Sequence, residues 1–118
     1  MSRMQVGRIY CGQELLVEHA WRADTALTRA RGLLGRPPLQ TGQGLVITPC
    51  SSIHTFGMQY DLDIVFLDFA DRIVKLVCHL GKWRMAMSAR ARWTLELRAG
   101  EAARLNLKLG DELNWRQD

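Results

Sequence analysis

The fold is decided by residues 61–68, which are Asp61-Leu62-Asp63-Ile64-Val65-Phe66-Leu67-Asp68. Apolar, β-forming side chains occupy both alternating faces of this segment, and Asp63 is the one polar exception inside it. A strand that is apolar on both faces is covered above and below, so we predict a central strand of a sheet. Because Asp favours turns, residues 68–71 predict a hairpin turn that leads into a second strand at residues 72–80.

The helix and strand signals elsewhere in the chain are short. Residues 24–34 predict the one substantial helix, because Asp24 can accept hydrogen bonds from a first turn and apolar residues recur at helical spacing. Gly35 can end this helix in the left-handed conformation, and the prolines that follow prevent its continuation. The patterning predicts a helical turn within residues 99–107 and further strands at residues 14–21, 45–47, 93–97 and 113–115.

Together these elements predict a mainly β fold. We expect a sandwich or open barrel of short, mostly antiparallel strands, with one α-helix at about residues 24–34 packed against it. A more evenly mixed α+β domain is the alternative. A chain of 118 residues can bury one core, so we expect a single domain that covers residues 1–118.

The charge of the chain raises the question of nucleic-acid binding. The formal net charge is +4 and the isoelectric point is about 9.3. Residues 82–92 contain four cations and no acid, which would allow weak binding to phosphates. The density is moderate, and no RNA-recognition, zinc-finger or helix-turn-helix pattern accompanies it. We therefore interpret this segment as a solvated basic loop and do not expect nucleic acid as a partner.

The cysteines and the absence of long apolar runs bear on location. Three widely spaced cysteines fit neither a disulfide framework nor a paired metal site, and reduced thiols favour a cytoplasmic location. No apolar run approaches the ~20 residues of a membrane span, and no apolar segment follows the basic start of the chain. We therefore expect no transmembrane segment and no signal peptide. The oligomeric state stays open.

Cys50 and His54 are the pair that first suggests a metal site or a Cys–His nucleophile. In an extended segment their spacing separates them by ~13 Å, whereas zinc ligands lie ~2.0–2.3 Å from one ion. Pro49, Ile53 and Gly57 disfavour the helix that would bring the pair together. We therefore predict no metal. The chain has no P-loop, dinucleotide-binding or nucleophile-elbow pattern, so we also predict no cofactor.

Several motifs along the chain resemble one family. They are Arg31-Gly32-Leu33-Leu34-Gly35-Arg36, Ser52-Ile53-His54-Thr55-Phe56-Gly57-Met58, Asp63-Ile64-Val65-Phe66-Leu67-Asp68, Trp83-Arg84, Leu95-Glu96-Leu97, Ala99-Gly100 and Gly110-Asp111. In this order, from about Arg31 to Leu113, they are similar to the motifs of DUF192, an uncharacterised bacterial and archaeal family. The resemblance implies a compact, mostly β fold with one helix. It implies no proven catalytic residue, substrate or cofactor.

A pairing of His54 with Asp63 is the first candidate for a functional site. If residues 57–60 form a hairpin loop, His54 lies opposite Asp63, and the carboxylate can fix one tautomer of the imidazole. The other ring nitrogen is then free to act as a base or a ligand. In the structural alternative, which we favour, Asp63 accepts hydrogen bonds from His54 or from backbone groups and fixes the strand register.

Three arginines and a tryptophan complete the candidate ligand-binding residues, which are Arg31, Arg36, His54, Asp63, Trp83 and Arg84. A guanidinium presents a planar fork of donors that suits a carboxylate, a phosphate or sugar hydroxyls. The two arginines at the helix end, with Trp83 and Arg84, could ring the mouth of a pocket where Trp83 is a stacking surface. Equally, these arginines could neutralise Asp63 or Asp68 within the fold.

The sequence favours a small non-enzymatic binding module for a small polar or anionic ligand, such as a saccharide or a peptide. Polar and aromatic residues lie beside a doubly apolar strand, and no recognisable catalytic set accompanies them. The second hypothesis is a hydrolase or lyase that uses His54 oriented by Asp63, and the third is a protein–protein adaptor. No residue is assigned as catalytic.

Overall fold

A computed structural model of the chain describes residues 4–118. Within this range the chain forms nine strands and two short helices. The strands are β1 (Gln5–Cys11), β2 (Glu14–Ala23), β3 (Gln43–Ile47), β4 (Ser52–His54), β5 (Leu62–Leu67), β6 (Ile73–Leu80), β7 (Met85–Met87), β8 (Trp93–Arg98) and β9 (Asn114–Gln117). The helices are α1 (Ala26–Arg31) and α2 (Glu101–Arg104). The mainly β class expected from the sequence is confirmed.

Seven of the strands form one sheet in the order β6-β5-β8-β3-β2-β1-β9. Neighbouring strands are antiparallel except β2 and β3, which run parallel. Strands β4 and β7 form a separate, two-stranded antiparallel sheet. Since β6 and β9 lie at opposite ends of the strand order, the large sheet is open and does not close into a barrel.

Strand β5 shows why the large sheet has two buried faces. All six of its residues are buried, and it lies between β6 and β8. Successive side chains point to opposite faces. Ile64 and Phe66 therefore pack in one core cluster, whereas Val65 and Leu67 pack in the other. The prediction of an internal strand covered on both faces is confirmed, as is the hairpin that joins β5 to β6.

Helix α1 is shorter than the predicted range of residues 24–34. Thr25 is its N-cap rather than Asp24, because Thr25 and Thr28 form a reciprocal capping box. The helix ends at Gly32, whose φ of +52° lies in the region that favours glycine, and not at Gly35. The residues after it form turns instead, with the Arg36 N–H donating to the carbonyl of Leu33 at 3.1 Å.

Strand β1 was not predicted from the sequence, and neither were the two short strands β4 and β7. Ile53 lies opposite Ala86 in their ladder, and both pack on the core beneath the small sheet. Three-residue strands contain too few alternations for a periodicity signal to be recognised. The helical turn expected within residues 99–107 is confirmed as α2. None of the helices in residues 4–118 is long and apolar enough to span a membrane.

Candidate functional site

Asp63 is buried in β5, and backbone groups satisfy its carboxylate. Its Oδ1 accepts a hydrogen bond from the N–H of His79 at 2.9 Å. Its Oδ2 accepts from the N–H groups of Gly100 at 3.0 Å and Ala102 at 2.9 Å. Gly100 is the N-cap of α2 and has no side chain with which to cap the helix. Asp63 therefore caps α2 from a neighbouring strand.

Asp63 also stabilises a β-bulge in β6. The pairing of β5 with β6 shifts by one residue at this point, so that Cys78 and His79 together lie opposite Asp63. His79 has a φ of +54°, which is uncommon for a residue other than glycine. The hydrogen bond from its N–H to Asp63 stabilises this β-bulge. Asp63 therefore has a structural role, and its hydrogen-bond partners are backbone groups, as the alternative prediction allowed.

His54 lies apart from Asp63, and the predicted pairing of the two is wrong. Strand β4 pairs with β7 and not with β5, and residues 55–58 form a tight turn in which the Met58 N–H donates to the carbonyl of Thr55 at 3.0 Å. The His54 side chain is exposed, and its Nδ1 accepts from the N–H of Phe56 at 3.3 Å. Since three backbone donors already bind the carboxylate of Asp63, that carboxylate does not orient the imidazole.

A cavity of about 360 Å³ lies between the α1 segment and strands β4, β5 and β8. We call it the Glu96 cavity. Its volume falls in the range of ~300–1,000 Å³ that is typical of small-molecule sites. Its apolar wall includes Leu33, Leu34, Ile47, Ile53, Met58 and Leu62. Its polar groups come from Arg29, Arg31, Cys50, Ser51, Ser52, His54 and Glu96.

Glu96 is the buried acid of this cavity. It lies on β8 between β3 and β5, where Leu45 and Ile64 are its neighbours, and it is 5% exposed. No donor within residues 4–118 forms a hydrogen bond or an ion pair with its carboxylate, and burial raises its pKa from 4.5 to about 7. At neutral pH the side chain is therefore present in both the protonated and the ionised form.

Arg29 and Arg31 add positive charge to the edge of the Glu96 cavity. Arg29 donates through Nε to the carbonyl of Thr25 at 3.3 Å and through Nη1 to that of Pro49 at 3.2 Å. Arg31 donates through Nε to the carbonyl of Leu34 at 3.1 Å. These bonds orient both guanidinium groups but do not neutralise them. No carboxylate among residues 4–118 forms an ion pair with either one.

The other predicted site residues are not brought together. Arg36 lines a second, largely apolar cavity of about 550 Å³ on the other side of Leu33. Burial and the nearby charge of Arg31 lower the pKa of Arg36. Trp83 and Arg84 are exposed in the loop before β7 and do not line the Glu96 cavity. Of the six residues predicted from the sequence, Arg31 and His54 are the two that line it.

Cys50 and His54 both line the Glu96 cavity, but neither contacts the other through a hydrogen bond. The Cys50 thiol donates to the carbonyl of Ser52 at 3.1 Å, and the segment between the two residues is extended as predicted. Among residues 4–118, no three His, Cys, Asp or Glu side chains are grouped so as to hold a metal ion. The pair therefore contributes polar groups to a wall of the cavity.

Glu96 and Arg29 were not among the site residues predicted from the sequence. The sequence contained one indication for Glu96, which is an acid between the apolar residues Leu95 and Leu97 in the strand predicted at residues 93–97. Because Leu95 and Leu97 point to the opposite face of β8, Glu96 is buried as well only where the second face is also covered. The α1 segment and β4 lie over that second face, and the pattern of β8 does not encode their position.

Comparison with known families and curated proteins gives three matches. The family model DUF192, described as "Uncharacterized ACR", matches residues 11–115. A UPF0127 protein of Thermococcus sibiricus is 31% identical over 98 residues, which is 79% of this chain and 63% of that protein. UPF0127 protein PH1112 of Pyrococcus horikoshii is 33% identical over 99 residues, which is 79% of this chain and 84% of that protein. The chain thus spans less than two thirds of the Thermococcus relative.

Solved structures share the fold at low sequence identity. A protein of unknown function from Novosphingobium aromaticivorans superposes with a TM-score of 0.81 at 23% identity, covering 95% of this chain and 85% of the other. A structure from Sinorhizobium meliloti superposes with a TM-score of 0.79 at 19% identity, covering 97% of this chain and 94% of the other. At these identities the comparison establishes the architecture alone.

Proposed function

Since the chain belongs to the DUF192 family, which is uncharacterised, we propose its function from its own geometry. It is a non-enzymatic binding module whose ligand occupies the Glu96 cavity. The ligand is a small hydroxylated organic acid, such as a sugar acid or a hydroxycarboxylic acid. The observation that carries this proposal is the buried carboxyl group of Glu96, which accepts no hydrogen bond from residues 4–118 and lies in a cavity whose edge carries Arg29 and Arg31.

The position of Glu96 is unfavourable for the protein alone. A rise in pKa from 4.5 to about 7 means that the ionised side chain is destabilised in the fold by roughly 3 kcal/mol. Buried carboxyl groups usually have hydrogen-bond partners because an unsatisfied one retains its full desolvation penalty. A ligand hydroxyl supplies such a partner for both forms, since it donates to a carboxylate and accepts from a carboxylic acid.

The charge at the edge of the cavity favours an anionic group on the same ligand. Arg29 and Arg31 each retain Nη donors after their bonds to backbone carbonyls, and guanidinium groups bind carboxylates and phosphates in a bidentate manner. Among the described residues, the wall contains one acid, Glu96, and these two arginines. The apolar side chains between them suit the carbon skeleton of a short acid.

The hydrolase or lyase hypothesis has no comparable support. It required Asp63 to orient His54, whereas Asp63 binds three backbone N–H groups and His54 lies in the other sheet. His54 remains a ligand-contacting candidate, because it lines the Glu96 cavity.

Isothermal titration against gluconate, glucuronate and lactate, each beside its uncharged amide, tests the proposal. We expect at least one acid to bind more tightly than its amide. The double variant Arg29→Gln with Arg31→Gln should weaken that binding by about tenfold or more, since hydrogen bonds to charged groups contribute ~1.5–3 kcal/mol. Lys108→Gln is the matched control, because it removes the same kind of charge from an exposed loop outside the cavity.

Two results would overturn the proposal. One is the absence of binding of every acid to a wild-type protein whose thermal melt shows a folded domain. The other is an affinity that is the same in the double arginine variant, the lysine control and the wild type. The melting temperature of each variant should match that of the wild type, which excludes unfolding as the cause of any change in binding.

A further inference from the structure

The two-stranded sheet presents apolar side chains to solvent. Phe56, Trp83, Met85 and Met87 are 40%, 67%, 66% and 64% exposed. Together with the exposed His54, we call these residues the aromatic–methionine strip. An antiparallel sheet with one solvated face usually carries polar side chains on that face. Here β7 places two exposed methionines on that face.

The strand register explains why these side chains share a face. His54 lies opposite Met85, and Ser52 lies opposite Met87. Side chains of directly opposed residues stand on the same face of a sheet, and alternate residues along a strand do so as well. The other face carries Ile53 and Ala86, which pack on the core. The exposed apolar row is therefore a consequence of the fold and not of a frayed loop.

The turn that presents Trp83 is built by a buried threonine. The Thr55 hydroxyl donates to the carbonyl of Gly81 at 2.6 Å and accepts from the N–H of Arg84 at 2.8 Å. Trp83 itself has a φ of +58°, which is strained for a bulky side chain. The ring of Phe56 stacks with that of His54, at 4.8 Å between centroids, and with that of Trp83, at 5.6 Å. A strained backbone conformation and exposed apolar side chains thus occur together in the turn at Trp83.

The charge around the strip is positive. From Arg72 to Leu95 the sequence contains no Asp or Glu and six Lys or Arg residues. Lys82 and Arg84 flank Trp83 and are exposed. Lys75 reaches the other end of the strip, where its Nζ donates to the carbonyl of Met87 at 2.8 Å. Asp61 is the acid that approaches this loop, on the Gly81 side.

We propose that the aromatic–methionine strip docks the protein onto the surface of an anionic phospholipid bilayer. Trp83, Met85 and Met87 line neither of the cavities described above, and their side chains extend into solvent. An anionic bilayer accepts projecting apolar side chains at its interface while lysine and arginine remain among the head groups. This proposal does not depend on a ligand in the Glu96 cavity, although His54 and Phe56 belong both to the strip and to the cavity wall.

Other occupants fit these observations less well. A second copy of the chain would bring two positively charged faces together, which electrostatic repulsion disfavours. Single-stranded nucleic acid requires several free aromatic faces for base stacking, whereas the ring of Phe56 is already stacked with those of His54 and Trp83. An acidic protein would match the charge, and the test below separates it from a bilayer.

Co-sedimentation with vesicles tests the proposal. Wild-type protein should sediment with vesicles that contain phosphatidylglycerol at low salt and stay in solution with pure phosphatidylcholine vesicles. Met85→Ser with Met87→Ser should weaken binding by about tenfold or more, and Lys82→Gln with Arg84→Gln should do the same. Leu109→Ser is the matched apolar control, because Leu109 is 66% exposed and lies outside the strip.

Two outcomes contradict this docking surface. The first is wild-type protein that fails to sediment with phosphatidylglycerol vesicles at low salt, which would leave an acidic protein as the occupant to test. The second is full binding by the folded methionine variant, which would mean that charge alone attracts the protein to lipid. The methionine variant leaves the Glu96 cavity unchanged, so failure here does not affect the proposed ligand site.

Discussion

The carboxylate of Asp63 accepts a hydrogen bond from the N–H of Ala102 at 2.9 Å, across 39 residues of sequence. This bond joins the interior of β5 to the first turn of α2. The same side chain holds Gly100 at the start of that helix and His79 in the bulge of β6. One acid that resembled a catalytic partner from its sequence context therefore connects three elements of the fold.

Asp63→Asn is expected to destabilise the domain by about 3 kcal/mol. An amide supplies one acceptor oxygen, and its NH₂ group would face backbone donors that now meet a carboxylate. The measurement is the free energy of unfolding from urea titration. A loss below about 1 kcal/mol would show that the three backbone bonds contribute little.

His54→Ala is expected to change the free energy of unfolding by less than about 0.5 kcal/mol, since the side chain is exposed, accepts one hydrogen bond from a neighbouring N–H and stacks on the exposed ring of Phe56. Thermal melts of this variant beside the wild type provide the measurement. A fall in melting temperature comparable to that of Asp63→Asn would mean that His54 has a structural role that its contacts do not explain.

Glu96→Gln is expected to alter the pH dependence of stability. The folded pKa of about 7 lies above the ordinary value of 4.5, so the folded state retains the proton more strongly than the unfolded state. Wild-type stability should therefore fall, relative to the variant, as the pH rises from about 4.5 through 7, by roughly 3 kcal/mol in total. Urea titrations of both proteins at pH values across this window measure the difference. A difference that is constant with pH would contradict the burial of an unpartnered carboxyl.

Gly7→Ala is expected to weaken the contact of β1 with β9. A methyl group at this position would lie 2.5 Å from the carbonyl oxygen of Arg116 and 2.8 Å from the ring of Trp115, so the strands would have to separate. We expect a loss of about 2 kcal/mol in the free energy of unfolding. Val6→Ala, at an exposed neighbouring position, is the control and should stay within about 0.5 kcal/mol of the wild type.

The parts of the fold that the sequence predicted are those set by local pattern. The double apolar alternation of residues 62–67 identified an internal strand, and the Asp68–Asp71 turn identified its hairpin partner. The hairpin expected at residues 57–60 did not form, because β4 pairs with a strand that begins more than thirty residues later. Short strands and distant pairings are decided by tertiary packing, which a local pattern does not contain.

The candidate site was predicted only in part, because it also depends on tertiary packing between distant segments. Arg31 and His54 were identified by side-chain chemistry and do line the Glu96 cavity. Glu96 and Arg29 were not, because their importance depends on which strands and loops cover them. Asp63 was correctly recognised as a buried acid that needs partners, but its partners are backbone groups on β6 and α2.

The titration of Glu96 is the measurement that tests the central claim most directly. Carbon-13 NMR of side-chain carboxyl groups, with Glu96→Gln to assign the resonance, gives its pKa in the folded protein. The structure predicts a midpoint of about 7 for Glu96, while ordinary glutamates titrate near 4.3. A midpoint between 4 and 5 would show a solvated or partnered carboxylate, and the case for a ligand in this cavity would then fail.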